Sequence, residues 1–582
     1  MIARCDNAWS YCGKFRSTCE ERLRLANQWF QQCTTSHTCR PSNTVFTPRR
    51  LIHIGDTNQR LRLIETTSGF LDTGLQYVAL SYCWGPGGGT LTTTLDNIEA
   101  HKSDIPFYRL PSTIKDAVFV CQKLSINYLW VDALCIIQDP GNADWVEQSG
   151  RMNLIYSNAA LTIAADESST CTAGFWHPEN TRFQKVSESC WIRDTPTNSA
   201  WDVLSTRGWT LQERILSHRI LHFSNSSISW ECDACCRFED GETKIDFTGL
   251  SYRAFRLLNR SAPHESLGKS ILGDGFDDRE GDYAPVHITD FLTSGSWKSI
   301  FFAWAAIIEN YSKRDLTQPG DKLSAISGLA SFVLTQAGIG AESYLAGLWR
   351  EDLVEGLLWY VSAARPSRSS APYIAPTWSW ASMTGSIHYF RDRYQFRFKP
   401  HISISDAHCT TSPTDPTGRV TGGVIHLAGL MVEVELAVIQ RSPSFSSSYK
   451  DAGGTPIRAQ DQQVAFVRLR QTAGGEESRW YEVMYDEEAK VNGTEDDLYG
   501  REAETSVSKS LDDISDRGAY FCLSVGELID SVTGGQRDWF LVLQKTIGNE
   551  VYKRVGIGYF QYSKSTEFSL FSNSDVYNIT LI

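Results

Sequence analysis

Tyr77-Val-Ala-Leu-Ser-Tyr-Cys-Trp84 is apolar on both faces and halts at Gly85-Pro-Gly-Gly-Gly89. A strand without polar alternation is covered on both sides, which is the situation inside a parallel sheet flanked by helices. The glycine and proline run then turns the chain into a loop. Residues 111–124 follow, opened by Pro111, with Ile114, Ala117, Val118, Cys121 and Leu124 on one helical face. Residues 127–132 read as a second buried strand. Residues 145–157 read as a second helix with Val146, Met152, Ile155 and Tyr156 inward, and 160–165 as a third strand. This alternation predicts an α/β domain, a parallel sheet with flanking helices.

On the N-terminal side, Leu23, Leu25, Ala26, Trp29 and Phe30 place an amphipathic helix within residues 15–34, and 50–54 with 61–64 form a hairpin. On the C-terminal side, residues 166–203 read as an irregular insertion or lid, 209–216 as a short helix, and 220–223 and 228–230 as returning strands. Residues 255–295 are rich in Gly, Asp and Ser and read as a linker. Phe301, Trp304, Ile307, Ile308 and Tyr311 then hold helical spacing in a region running to 363. From 389 the period changes to two, as in Val432-Glu-Val-Glu-Leu436, with a Ser-rich stretch at 442–449 and an acidic one at 486–515. The expected divisions are an N-terminal helix and leader at 1–45, the α/β domain at 46–235, a linker or loop at 236–296, a helical region at 297–385 and a β-rich domain at 386–582.

At 582 residues, with 41% hydrophobic and 21% charged residues, the chain is long enough for two or three domains of ordinary globular composition. A net charge of -13 argues against a surface built to neutralise phosphates, so nucleic acid is not an expected partner. No stretch reaches the roughly 20 apolar residues of a membrane span, and Met1-Ile-Ala-Arg-Cys-Asp6 has no apolar signal core. A cytoplasmic or nuclear protein is expected, its 15 cysteines reduced.

Three blocks in order carry a family resemblance: Tyr77-Val-Ala-Leu-Ser-Tyr-Cys-Trp-Gly85; Leu129-Trp-Val-Asp-Ala-Leu-Cys-Ile-Ile-Gln-Asp139 with its continuation to Ile163; and Arg207-Gly-Trp-Thr-Leu-Gln-Glu-Arg-Ile-Leu-Ser217 followed by Arg219, Phe223 and Trp230-Glu-Cys232. Together they resemble the fungal heterokaryon-incompatibility (HET) domain. Weaker similarity covers Trp29 with Cys33, His37 and Cys39, and later Tyr311-Ser-Lys-Arg314, Asp321-Lys-Leu323, Gly347-Leu-Trp349 and Thr377-Trp-Ser-Trp-Ala381, which resemble the helical companion region of many HET proteins. The resemblance implies a role in nonself recognition and in the cell death that follows fusion of incompatible hyphae. The HET domain is in turn remotely similar to the TIR domain, a flavodoxin-like parallel sheet, and some TIR domains hydrolyse NAD. In that comparison Trp209 and Glu213 match a Trp-Cys-x-x-Glu helix whose glutamate is catalytic, while Thr210 stands where TIR domains usually carry Cys.

Glu213 is accordingly the candidate catalytic residue. Nicotinamide leaves as a neutral molecule and needs little acid catalysis, so a fixed carboxylate beside the ribosyl cation is the useful group. Trp209 lies one turn earlier on the same helical face. The same residues also read as a core tryptophan and a glutamate salt-bridged to Arg207, Arg214 or Arg219, because buried glutamates are usually paired. Tyr82, Trp84, Gly85, Asp132, Arg207 and Trp209 are the candidate ligand-binding residues. The first three fall where a strand of an open α/β sheet ends, the usual place for a ligand, although a plain loop with core aromatics fits them too. Asp139 and Asp144 read as turn and helix-start residues. Cys33, His37 and Cys39, and Cys232 with Cys235 and Cys236, read as buried thiols: neither cluster alone has finger spacing, and no metal site is expected.

Three functions remain open on these residues. One is an effector, an NAD glycohydrolase with NAD as substrate and no resident cofactor. The second is a noncatalytic signalling module that self-associates and recognises a protein partner through its β-rich end and its Trp-rich segment 376–380. The third is a tailoring enzyme recruited to small-molecule metabolism, for which no substrate is indicated.

Overall fold

The computed structural model describes residues 19–37, 39, 46–55, 60–66, 75–86, 91–141, 143–176, 203–224, 227–239, 298–368, 373–389, 396–412, 415–440, 463–469, 481–486, 516–530, 536–546, 550–562 and 574–582, with short pieces at 2–5, 8–11, 183–187, 190–193, 493–494 and 571. Two compact units result. The first comprises residues 1–299, 314–316 and 324–337; the second comprises 300–313, 317–323 and 338–582.

The first unit begins with helix α1 (Cys19–Ser36), whose Leu23, Ala26, Trp29, Phe30 and Cys33 are buried at helical spacing. Strands β1 (Arg50–His53) and β2 (Arg62–Glu65) form the expected hairpin. Strand β3 (Val78–Ser81) is buried at every position, as the unalternated sequence requires. Helix α2 (Ser112–Lys123), preceded by Pro111, buries Ile114, Ala117, Val118 and Cys121. Then come β4 (Tyr128–Trp130), a single helical turn α3 (Asp132–Cys135), α4 (Ala143–Ser149), α5 (Met152–Asn158) and β5 (Leu161–Ala165). The helix expected over 145–157 is therefore two helices. They part at Gly150, and Arg151 bonds back to Gln148 in a tight turn at 3.0 Å. Helix α6 (Gly208–Leu216), β6 (Arg219–Phe223), β7 (Ile228–Cys232) and β8 (Cys236–Phe238) complete the sheet.

The eight strands lie in the order β8-β7-β6-β5-β3-β4-β1-β2. Only the central pairs β6/β5, β5/β3 and β3/β4 are parallel; the pairs outside them are antiparallel, so the parallel sheet expected from sequence is a mixed one. The short links β1–β2 and β6–β7 impose this, since closely joined strands pair antiparallel and parallel neighbours need a crossover. Numbered among themselves, the four parallel strands run second, first, third, fourth. Within the segment read as wholly irregular, Phe183–Ser187 and Cys190–Arg193 form a small antiparallel hairpin. Most of the linker expected at 236–296 lies outside the described residues, but Cys236–Phe238 belongs to the sheet.

The second unit holds most of helix α7 (Lys298–Tyr311), whose Trp304 donates to the Gly347 carbonyl at 2.8 Å. Helix α8 (Ser324–Ala337) falls instead in the first unit. The region read as helical changes to strand at β9 (Trp359–Arg368), paired antiparallel with β10 (Met383–Tyr389), as a run starting Trp-Tyr-Val favours. The remaining strands form a β-rich sheet: β11 (Phe396–Pro400), β12 (Ser403–Ser412), β13 (Asp415–Gln440), β14 (Gln463–Leu469), β15 (Tyr481–Tyr485), β16 (Asp516–Asp530), β17 (Gln536–Lys545), β18 (Val551–Tyr562) and β19 (Asp575–Leu581). Strand β13 pairs with both β14 and β16 and so closes the ladder β14-β15-β18-β17-β16 on itself, around Val434, Leu436, Val467, Phe540 and Val555. Trp378 and Trp380, read as part of a recognition segment, are wholly buried. Trp380 donates to the Gly347 carbonyl at 3.0 Å, and Trp359 donates to the Trp378 carbonyl at 3.0 Å. Most of the Ser-rich and acidic stretches lie outside the described residues. Among the described residues no helix is long and apolar enough to cross a membrane.

Candidate functional site

Helix α6 is short and buried nearly all round: Thr210, Leu211, Gln212, Glu213, Ile215 and Leu216 are all covered, while Trp209 and Arg214 are half-buried. A polar sequence of this kind can be buried only if neighbours answer each polar group. The Thr210 hydroxyl lies 2.5 Å from the Leu204 carbonyl and 2.8 Å from that of Arg207. The Gly208 amide donates to the Asp315 carbonyl at 2.8 Å, and Arg314 donates to the Arg207 carbonyl at 3.2 Å and to Thr210 at 3.3 Å. On its other flank α6 meets α8, where a Cβ on Gly328 would stand 2.7 Å from Gln212 Oε1 and 2.8 Å from Asn153 Cβ. Only glycine allows this approach.

Glu213 leaves this helix towards β3 and accepts a hydrogen bond from the Ser81 hydroxyl. Tyr156 of α5, which donates to the Leu80 carbonyl at 3.1 Å, also holds its hydroxyl within reach of the carboxylate. Burial pushes the Glu213 carboxyl up to about 7; Asp132 adds to the rise, while Ser81, Arg207 and Tyr156 oppose it. None of the cations considered from sequence forms an ion pair with it among the described residues. Arg214 bridges to Glu231 at 3.0 Å, Arg219 donates to the Ala160 carbonyl at 3.3 Å and to the Cys39 carbonyl, and Arg207 donates to the Tyr82 carbonyl at 2.8 Å. The salt-bridge alternative is thereby replaced by a carboxyl held mainly by hydroxyls. Arginines adjacent in sequence are drawn off by carbonyl and carboxylate groups closer to them in space.

Asp132 does not end strand β4 but opens the turn α3. Its carboxylate accepts from the Trp84 indole at 2.9 Å and from the Ala133 amide at 2.7 Å, and burial still raises its pKa. Tyr82, Trp84 and Arg207 are thus neighbours of one buried carboxyl pair, Asp132 and Glu213. Gly85 has φ +90°, and a Cβ there would stand 2.8 Å from Thr170, so its glycine is required by the turn and the close approach. Gly87–Gly89 lie outside the described residues. Trp209 packs edge-on against Trp145, ring centroids 6.3 Å apart. Asp144 is a buried partner of Arg50, and Asp139 accepts from the Leu95 amide at 2.7 Å, which agrees with their reading as structural groups.

The parallel strands end at Ser81, Trp130, Ala165 and Phe223, and a narrow cleft of mixed lining opens between helix α6 and the face of β3, β5 and β6, with Thr162, Ala164, Leu204 and Ile220 among its walls. Ser81, Asp166, Thr210, Arg214, His222 and Arg314 line it. Ser81 therefore faces the cleft and holds Glu213 at once. His222 donates from Nδ1 to Asp166 at 2.9 Å and from Nε2 to Glu231 at 3.3 Å. Burial alone would depress its pKa, but the two carboxylates carry it up to about 10, so both ring nitrogens hold protons at neutral pH. Sequence reasoning passed over Ser81, Asp166 and His222 as site residues. Ser81 is the one polar side chain within β3, and Asp166 directly follows β5, so both carried a signal of position.

The family model described as Heterokaryon incompatibility protein (HET) matches residues 77–213. Comparison with curated proteins and with solved structures finds no match. The matched span begins in the segment that leads into β3 and ends on the glutamate that β3 holds through Ser81. Residues 77–213 of this chain are thus a heterokaryon-incompatibility (HET) domain.

Proposed function

We propose that the chain acts in fungal nonself recognition and cell death, and that its Glu213 site hydrolyses NAD in the manner of TIR domains. The observation that carries this reading is a buried carboxyl, titrating near neutrality, fixed by Ser81 at the carboxyl edge of parallel strands. The order second, first, third, fourth among those strands supports the TIR-like, flavodoxin-like reading, and the cleft beside it lies between α6 and the sheet, reaching Ser81 at the end of the first of these strands and Asp166 just past the third. In the reaction the bond between nicotinamide nitrogen and ribose C1′ breaks and its electron pair leaves with nicotinamide. The Glu213 carboxylate stabilises the ribosyl cation, and water adds to C1′ with release of a proton, giving ADP-ribose. In this reading Asp132 holds ribose hydroxyls, and Arg314 and Arg214, which line the cleft, supply positive charge for phosphate. Only ionised Glu213 serves, so turnover rises with pH through about 7. The test is nicotinamide release by the purified full chain. Wild type releases it, and Glu213→Gln, folded by circular dichroism, does not; equal turnover in the two sinks the reading.

A second reading, a noncatalytic module that recognises a protein partner, draws on Val576 (65% exposed) and Tyr577 (40% exposed) on strand β19 of the second unit. If Glu213→Gln remains fully toxic in a fungal host while Val576→Asp with Tyr577→Asp abolishes toxicity, recognition accounts for the activity.

A further inference from the structure

Cys33 on the last turns of α1, His37 and Cys39 just beyond it, and Cys232 at the end of β7 converge across nearly 200 residues of sequence. One donor atom from each lies within 4.8 Å of all the others. The Cys232 sulfur is 3.5 Å from His37 Nδ1. A tetrahedral zinc centre with sulfur ligands at about 2.3 Å has edges of about 3.8 Å, so the four atoms need close in only slightly on a central ion. Three thiolates and one imidazole are a standard donor set for structural zinc, and three of the four residues are buried, as a closed site requires.

A second feature points the same way. The Arg219 guanidinium is buried, and its Nε donates to the Cys33 sulfur at 3.3 Å while another nitrogen donates to the Cys39 carbonyl. A zinc ion with three thiolates carries one net negative charge. Arg219 neutralises it and supplies the N–H to sulfur bond that commonly orients such ligands.

We propose that Cys33, His37, Cys39 and Cys232 bind one zinc ion, which pins α1 to the end of β7, with Arg219 as a positioning residue. The two clusters taken separately in sequence are incomplete because each supplies only part of the ligand set. Cys235, 3.7 Å from the Cys232 sulfur, stands beside the set and is not among the four.

The full chain, purified from zinc-supplemented cells in reducing buffer without chelator, is assayed for metal by plasma mass spectrometry. About one zinc per chain is expected. Cys33→Ser and Cys232→Ser each lose it, and Cys236→Ser keeps it. As a check independent of how the ligand variants fold, wild type is also exchanged with cobalt; intense visible bands of a tetrahedral thiolate site are expected. In folded Arg219→Lys, zinc affinity read by chelator competition falls roughly tenfold. A wild-type chain that is metal-free and takes up neither ion, or one in which peptide mapping under non-reducing conditions finds two of the three cysteines joined as a disulfide, overturns the proposal.

Discussion

Ser81 donates its hydroxyl to Glu213 across a sequence separation of 132, tying the first central strand to the last helix of the HET-matched span. That bond stabilises the carboxylate, whereas burial and the neighbouring Asp132 favour the neutral acid. The site is poised by these opposed effects, and its behaviour with pH follows from their sum.

Glu213→Gln should stabilise the fold in alkaline solution. The folded carboxyl titrates near 7 against an ordinary 4.5, so the native state favours the acid. Its contribution is full below about 4.5 and is lost as pH rises through about 7. Removing the charge recovers up to about 3 kcal/mol above that range and almost nothing at the acid end. Urea unfolding followed by tryptophan fluorescence at both ends of the window checks it. A variant no more stable than wild type on the alkaline side contradicts the assignment.

Ser81→Ala removes the donor that favours the carboxylate. Glu213 should then ionise at a still higher pH, seen as an alkaline shift of its carboxyl band in infrared titration, and the pH profile of nicotinamide release should move the same way. The buried acceptor left short of a partner costs about 1–2 kcal/mol of stability.

His222 stays protonated at neutral pH because Asp166 and Glu231 overcome its burial. Its folded pKa of about 10 lies above the ordinary 6.5, so its contribution is full below about 6.5 and is lost as pH rises through about 10. His222→Gln should cost roughly 3–5 kcal/mol near neutrality, where it strands two carboxylates, and the deficit should shrink towards pH 10. Nitrogen-15 spectra of the wild-type ring, with both N–H groups present at neutral pH, provide an independent check.

Gly328→Val should destabilise the first unit by roughly 1–3 kcal/mol through overpacking. Asn153 Cβ and Gln212 Oε1 already stand within 2.8 Å of where the new Cβ would be. A lower urea midpoint, with a smaller loss for Gly328→Ser, is the expected outcome.

The centre of the fold could be read directly from sequence, because β3 and β5 show no polar alternation and α2 shows a single apolar face. The antiparallel flanks could be read only as hairpins, since their joining to the parallel strands is a matter of register between distant segments. Glu213 stood out through its motif, but its environment did not: Ser81 and Tyr156 reach it through space, and the arginines near it in sequence bond elsewhere. Periodicity likewise could not distinguish buried Trp378 and Trp380 from a recognition surface. Cys33 and Cys232 illustrate the same limit, because spacing rules work within a segment and these ligands sit on two.

Residues 314–316 and helix α8 belong to the first unit although they follow the matched span by about a hundred residues. Arg314 meets the start of α6, and Gly328 covers its flank. A recombination breakpoint, or a cloning boundary, placed anywhere between 240 and 323 would pass on the signature while leaving behind part of the wall against which Glu213's helix is set. What is inherited intact in this protein is therefore a longer stretch of gene than the family signature marks out.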